Sequence, residues 1–263
     1  MSRPKSIVIF GGARGIGAAV ARRFAASDFR VYIADVLETE GNALVRELGE
    51  DRASFTICDV ARADDISAVF DLAVAESGGI DVVFNNVGIA RYGEVDRLDL
   101  EDWELTLRVN LTAQFLSCKR AVAEMKKTGG GVIINTASIL GHASQKTTAA
   151  YAASKAGVMA LTRTVAIDHA KDNIRCVSIS PGTIDTPLVQ IAAQTFEGRD
   201  PQDLRREWAD HHPLRRLGRP QEVAETVFFL ASEGAAFITG SDILIDGGIR
   251  SELYAEKPGE PAQ

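Results

Sequence analysis

The chain has few cysteines, few histidines, no excess of positive charge and no apolar run as long as a membrane span, and each shortage narrows what it can be. Its three cysteines, Cys58, Cys118 and Cys176, are odd in number and lie in apolar segments. They fit buried, reduced thiols in a cytoplasmic protein rather than a disulfide framework. The four histidines have no metal-ligand spacing, and the adjacent pair His211-His212 cannot face one way on a helix, so no metal is expected. The apolar N-terminal run stops at Phe10 and is followed by glycines, which is too short and wrongly flanked for a signal peptide. No segment reaches the roughly 20 apolar residues of a membrane helix. Lys and Arg number 29 against 36 Asp and Glu, a net charge of −7, which argues against nucleic-acid binding. Neither an internal linker nor a repeat interrupts the 263 residues. One domain over 1–250 is therefore expected, with a flexible tail over 251–263. What is plentiful is apolar side chain, 46% of the total, enough for a sizeable core.

The most informative stretch runs from Val132 to Lys155, VIINTASILGHASQKTTAAYAASK. Its first residues are apolar and β-branched, as in a buried parallel strand. Its last are Ala-rich with helical spacing. Ser138 falls at the strand tip, while Tyr151 and Lys155, four apart, fall on one helix face. A hydroxyl, a phenol and an ammonium in one cleft suit proton exchange with an alcohol oxygen. The unperturbed pKa of a phenol is about 10, so a neighbouring cation is expected to lower that of Tyr151. Tyr and Lys four apart are also a common surface pair, so context must decide.

That context is an alternation of strands and helices. SIVIF opens into Gly11-Gly12-Ala13-Arg14-Gly15-Ile16-Gly17 and an Ala-rich helix. Strand, glycine turn and helix N-terminus make a setting for a pyrophosphate. A strand over 30–34 then leads to Asp35, about 20 residues on, where a carboxylate can hold both hydroxyls of an adenosine ribose or simply serve a turn. Asp59-Val60 follows the next strand, and Asp59 can meet an adenine amino group or cap the helix over 64–76. Asn85-Asn86-Val87-Gly88 follows a further strand. A long helix over 100–127 contains Asn110, which there must bond a neighbouring element or mark a distortion. A strand over 174–180 ends at Pro181-Gly182-Thr183 and opens a less regular, charge-rich segment over 184–219, a candidate substrate lid. The alternation predicts a single-domain α/β fold of the Rossmann type, a doubly wound parallel sheet with helices on both faces. Asp35, Asp59, Asn86, Ser138 and Pro181 then share the carboxyl edge of the sheet.

Taken together, Gly11-xxx-Gly15-x-Gly17, Asn85-Asn86-x-Gly88, Asn110, Ser138, Tyr151-xxx-Lys155, Pro181-Gly182 and Asp246-Gly247-Gly248 resemble the short-chain dehydrogenase/reductase family over nearly the whole chain. The resemblance implies an NAD-dependent oxidoreductase acting on a secondary alcohol or ketone. Tyr151 is implied as general acid/base, with Lys155 lowering its pKa and holding the nicotinamide ribose. Ser138 would hold the substrate oxygen, and Asn110 would position a proton-relay water. Cofactor contacts are implied at Gly11, Arg14, Gly15, Ile16, Gly17, Asp35, Asp59, Val60, Asn86, Gly88, Tyr151, Lys155, Pro181, Gly182, Ile184 and Thr186. The resemblance also implies a homotetramer.

Three positions depart from the family pattern. Phe10 replaces the usual Thr before the glycines, Val87 replaces an Ala, and Arg14 is a basic residue of the kind NADP-using relatives carry in this loop. Asp35 favours NAD over NADP, because a carboxylate repels a 2′-phosphate. The substrate is expected to be a small molecule, with His142 beside Ser138 and Tyr151 as a contact. A sugar, polyol or hydroxy acid fits the polar residues 142–148 and the arginines of 184–219, although those arginines can equally pair with Glu197, Asp200, Asp203, Glu207 and Asp210. The alternative is an NADPH-dependent 3-oxoacyl thioester reductase.

Overall fold

The computed structural model describes residues 3–194 and 198–251. Glu197 and nearly all of the expected tail lie outside them. Seven parallel strands form one sheet: β1 Ser6–Phe10, β2 Arg30–Asp35, β3 Ala53–Ile57, β4 Val82–Asn85, β5 Gly131–Thr136, β6 Ile174–Pro181 and β7 Asp242–Ile245. Their order across the sheet is β3-β2-β1-β4-β5-β6-β7. The chain winds outward from β1 to β3 and then returns to β4 on the other side. The strand tips therefore part between β1 and β4 and leave a crevice at the carboxyl edge.

Alternation along the strands divides the core into two layers. Ile7 and Ile9 face one side with Val20 and Phe24 of α1 (Gly15–Ala25), Leu44 of α2 (Glu38–Leu48) and Val223 and Val227 of α9 (Pro220–Ala231). Val8 and Phe10 face the other with Phe70 of α3 (Ala63–Ser77), Met125 of α5 (Ala113–Thr128) and Val165 of α6 (Ala149–His169). The β-branched strands are covered on both faces, as continuous apolar runs require.

The helix expected over 100–127 is divided into α4 (Leu100–Leu107), a π-helical turn at Arg108–Thr112 and α5. Asn110 sits inside that turn and also bonds a neighbouring loop, so both readings of its position apply. The segment over 184–219 is more regular than its composition suggests. It holds α7 (Pro187–Gln194) and α8 (Pro201–Asp210). The start of α8 has a local cause: Pro201 occupies the first turn, and the Asp200 carboxylate accepts the Gln202 N–H at 2.7 Å.

Candidate active site

The glycine loop leaves β1 and turns into α1. Gly15 has φ +58°, in the left-handed region, and a Cβ on Gly17 would lie 2.0 Å from the Gly11 carbonyl oxygen. With Phe10 buried against Phe70, the loop is fixed by other means. The Gly11 N–H donates to the Ala34 carbonyl at 2.8 Å, and Asn86 Nδ2 donates to the Gly11 carbonyl at 3.0 Å. Asp35, at the tip of β2, accepts the Ala13 N–H at 3.0 Å and the Leu37 N–H at 3.2 Å. Each carboxylate oxygen thus has one backbone donor and a lone pair left for another. The Thr186 methyl comes within 3.3 Å of where a Gly15 Cβ would stand, so the turn after β6 closes over the loop. A cradle that excludes side chains, bounded by a carboxylate, fits a dinucleotide.

Other expected contacts are placed as follows. The Asp59 carboxylate accepts the Ala61 N–H at 2.9 Å, a local turn leading into α3, while Val60 is buried. The Arg14 side chain is exposed and has no ion-pair partner among the described residues. Ile184 is buried and pairs with Gly218.

Lys155 is 2% exposed. Its Nζ donates to the Thr136 carbonyl at 2.7 Å and lies 5.6 Å from the centre of the Tyr151 ring. Thr136 ends β5, one residue beyond the last β4 pairing at Asn85–Asn135, and its carbonyl accepts from two side chains, Lys155 and, at 3.3 Å, Gln114 Nε2. Burial pushes the ammonium down from 10.5 to about 8. Gly88 lies alongside: a Cβ there would be 3.3 Å from Nζ and 3.7 Å from Asn110 Oδ1. Asn110 Oδ1 accepts the Ile89 N–H at 2.8 Å, and its Nδ2 donates to the Ile89 carbonyl at 2.9 Å and to Ser154 Oγ at 3.1 Å. Ser138 Oγ accepts the Leu140 N–H at 3.1 Å.

The phenol differs from expectation. Burial holds the Tyr151 pKa above its ordinary value, the Ser138 hydroxyl pulls it down, and Tyr92 adds to the rise. The Lys155 ammonium is directed to a backbone carbonyl. His142 stands with Ser144, Gln145, Thr147 and Thr148 along one cavity. The His142 Nε2 is 2.7 Å from Asp242 Oδ2, and the cavity, of about 450 Å³, is also lined by Ala149, Ala152, Ala153 and Ala156. These alanines lie on a different face of α6 from Tyr151, because successive helical residues are rotated by about 100°.

The arginines of 184–219 are paired rather than gathered. Arg199 meets Glu207 at 2.6 Å, Arg205 meets Asp185 at 2.7 Å and Arg206 meets Asp203 at 3.0 Å. Arg216 and Arg219 share Glu222, and Arg215 donates to the Asp210 carbonyl. The cysteines are free and buried, and burial with nearby Asp65, Asp59 and Asp35 pushes Cys58 up to about 12. Among the described residues no His, Cys, Asp or Glu cluster suits a metal, and no helix is long and apolar enough to cross a membrane.

Three contributors were not legible from sequence. The Thr136 carbonyl has no residue-type signal. Ser154 was hidden between Tyr151 and Lys155. His212, set aside as one of a histidine pair, is buried while His211 is exposed.

A doubly wound sheet with a glycine cradle and a Ser, Tyr and Lys group at its carboxyl edge defines a dinucleotide-dependent oxidoreductase. A family model described as "Enoyl-(Acyl carrier protein) reductase" matches residues 11–250. Cis-4-hydroxycyclohexanecarboxylate dehydrogenase of Sinomonas cyclohexanicum is 39% identical over 92% of this chain and 94% of its own. A 3-oxoacyl-[acyl-carrier-protein] reductase of Chlamydia trachomatis is 34% identical over 93% of this chain and 97% of its own. The solved aldohexose dehydrogenase of Thermoplasma acidophilum superposes with a TM-score of 0.88 at 34% identity, over 97% of this chain and 98% of that one. The chain belongs to the short-chain dehydrogenase/reductase family.

Proposed function

We propose that the protein oxidises a secondary alcohol, or reduces the matching ketone, with NAD(H) as cofactor. A sugar, polyol or hydroxy acid is the favoured substrate class. The observation that carries the reading is the buried Lys155 ammonium beside the Tyr151 ring, with the Ser138 hydroxyl acting on the phenol. Gly11, Gly15, Ile16 and Gly17 would cradle the pyrophosphate, and Asp35 would hold the adenosine ribose. Lys155 would hold the second ribose, and 181–186 would flank the nicotinamide. A nicotinamide dinucleotide held by these residues would supply hydride exchange with the carbinol carbon.

The chain's own part is proton handling. Ser138 donates a hydrogen bond to the substrate oxygen and fixes its position. Tyr151 takes the hydroxyl proton during oxidation and returns it during reduction. A phenol held above its ordinary pKa stays protonated, and its use as a base requires positive charge nearby to favour phenolate. Lys155 supplies one such charge, and it retains two further N–H groups beyond the one directed to Thr136. Asn110, through Ser154 and the Ile89 backbone, holds the π-helical turn against α6 and stands beside any water that reaches Lys155.

NAD is favoured because the Asp35 carboxylate would meet a 2′-phosphate, and the exposed Arg14 moderates that preference. Asp35→Ala is expected to narrow the ratio of KM values for NADP and NAD by about tenfold or more. Equal use of both by the wild type would contradict the assignment. The reading extends to a cytoplasmic homotetramer, supported by free cysteines and by exposed apolar side chains on α5 and α6. The second reading, an NADPH-dependent 3-oxoacyl thioester reductase, draws on the chlamydial relative. Dinucleotide reduction across secondary alcohols, aldohexoses, polyols and hydroxy acids including cis-4-hydroxycyclohexanecarboxylate tests the first. Oxidation of NADPH with an acetoacetyl thioester tests the second.

A further inference from the structure

We propose that His212 is a positioning residue for the cofactor turn, whose bare ring nitrogen holds the Thr183 N–H and so sets dinucleotide affinity from outside the reacting groups. The inference rests on reading 181–186 as the turn beside the nicotinamide. His212 is 1% exposed. Its Nδ1 lies 2.8 Å from the Trp208 carbonyl, which can only accept, so Nδ1 carries the hydrogen. Its Nε2 lies 3.1 Å from the Thr183 amide nitrogen, which can only donate, so Nε2 is bare. The two partners together define one neutral tautomer.

The imidazole joins two elements. Trp208 is in the last turn of α8, where carbonyls lack helical partners, and the ring caps one of them. On its other side the turn is wedged in place. A Cβ on Gly182 would stand 2.9 Å from His212 Nε2 and 3.0 Å from Asp246 Cα. The Asp246 carboxylate is turned away to the Gly248 and Arg250 N–H groups. A second tie, Arg205 to Asp185 at 2.7 Å, links α8 to the same turn. The position of 181–186 is thus set by α8 as well as by the sheet. Loss of the Nε2 acceptor leaves the part-buried Thr183 N–H without that partner and frees the turn to move away from the glycine loop.

The experiment uses the full-length protein and three substitutions, read by NADH titration and by thermal unfolding. His212→Gln places a side-chain amide near Nε2, His212→Asn places one near Nδ1, and His212→Phe keeps bulk without either. His212→Gln is expected to bind NADH within about threefold of wild type, and His212→Asn and His212→Phe about tenfold or more weakly. The proposal is overturned if His212→Asn retains affinity while His212→Gln loses it, because the cap on α8 would then be the only role. It is equally overturned if all three bind NADH as wild type does while only Tm falls. Should His212→Phe fail to fold, the Gln and Asn pair still decides. Failure of the wild type to bind either NADH or NADPH is a different result, and overturns the reading of the crevice itself.

Discussion

The Lys155 ammonium is held in the interior, and that placement has a measurable cost. Its pKa in the folded protein, about 8, lies below the ordinary 10.5. Between those values the unfolded chain keeps a proton that the folded protein has released, so folding stability rises with pH across that window. Cys58 and Cys176 act in the opposite sense from pH 9 upward and Tyr151 from pH 10, inside the same window, because their pKa values are raised from 9 and 10. Comparison with Lys155→Met isolates the lysine. The wild type should gain about 2–3 kcal/mol relative to that variant between pH 8 and pH 10.5. Urea unfolding of both proteins across the range measures it, and a constant difference would contradict the buried charge. Tyr151→Phe keeps the ring and removes the proton-carrying atom. Its kcat is expected to fall by about 10²–10⁴ while circular dichroism is unchanged. Unaltered turnover would remove Tyr151 from the chemistry.

Among elements, the segment from α4 to α5 is the most instructive. Its composition reads as one helix with a misplaced amide. The amide instead satisfies both backbone groups of Ile89, in the loop after β4, and also bonds Ser154 of α6. Asn110→Leu would leave the Ile89 N–H and C=O without those partners. A stability loss of about 2–4 kcal/mol is expected from chemical denaturation. A loss below about 0.5 kcal/mol would show that the π-helical turn stands without the side chain. Helix and strand positions were legible because apolar spacing and glycine breaks are local signals. The two helices of 184–219 were not: α7 is a short apolar stretch of eight residues with too few turns to show a period, and the charges of α8 resemble a loop until Arg205 and Arg206 have found Asp185 and Asp203.

For the whole molecule, the sheet order collects residues from distant parts of the chain at one edge. The same architecture leaves apolar side chains facing outward, Phe115 on α5 at 48% and Ile167 on α6 at 77% exposed. Under the homotetramer reading, Phe115→Asp together with Ile167→Asp should reduce the assembled mass, measured by light scattering. A wild type that is already monomeric would contradict that reading.

The sequence by itself determined the alternation of strands and helices, the glycine cradle, and the Ser138, Tyr151 and Lys155 group, because hydrophobic period, turn chemistry and reactive side chains are written in residue type and spacing. Only the tertiary structure decided which groups those side chains serve. Lys155 meets a backbone carbonyl, His142 turns to Asp242, and His212 joins α8 to the turn after β6. The physical reason is that burial and hydrogen-bond partnership depend on which distant segments the sheet brings together, and spacing along the chain carries no record of that.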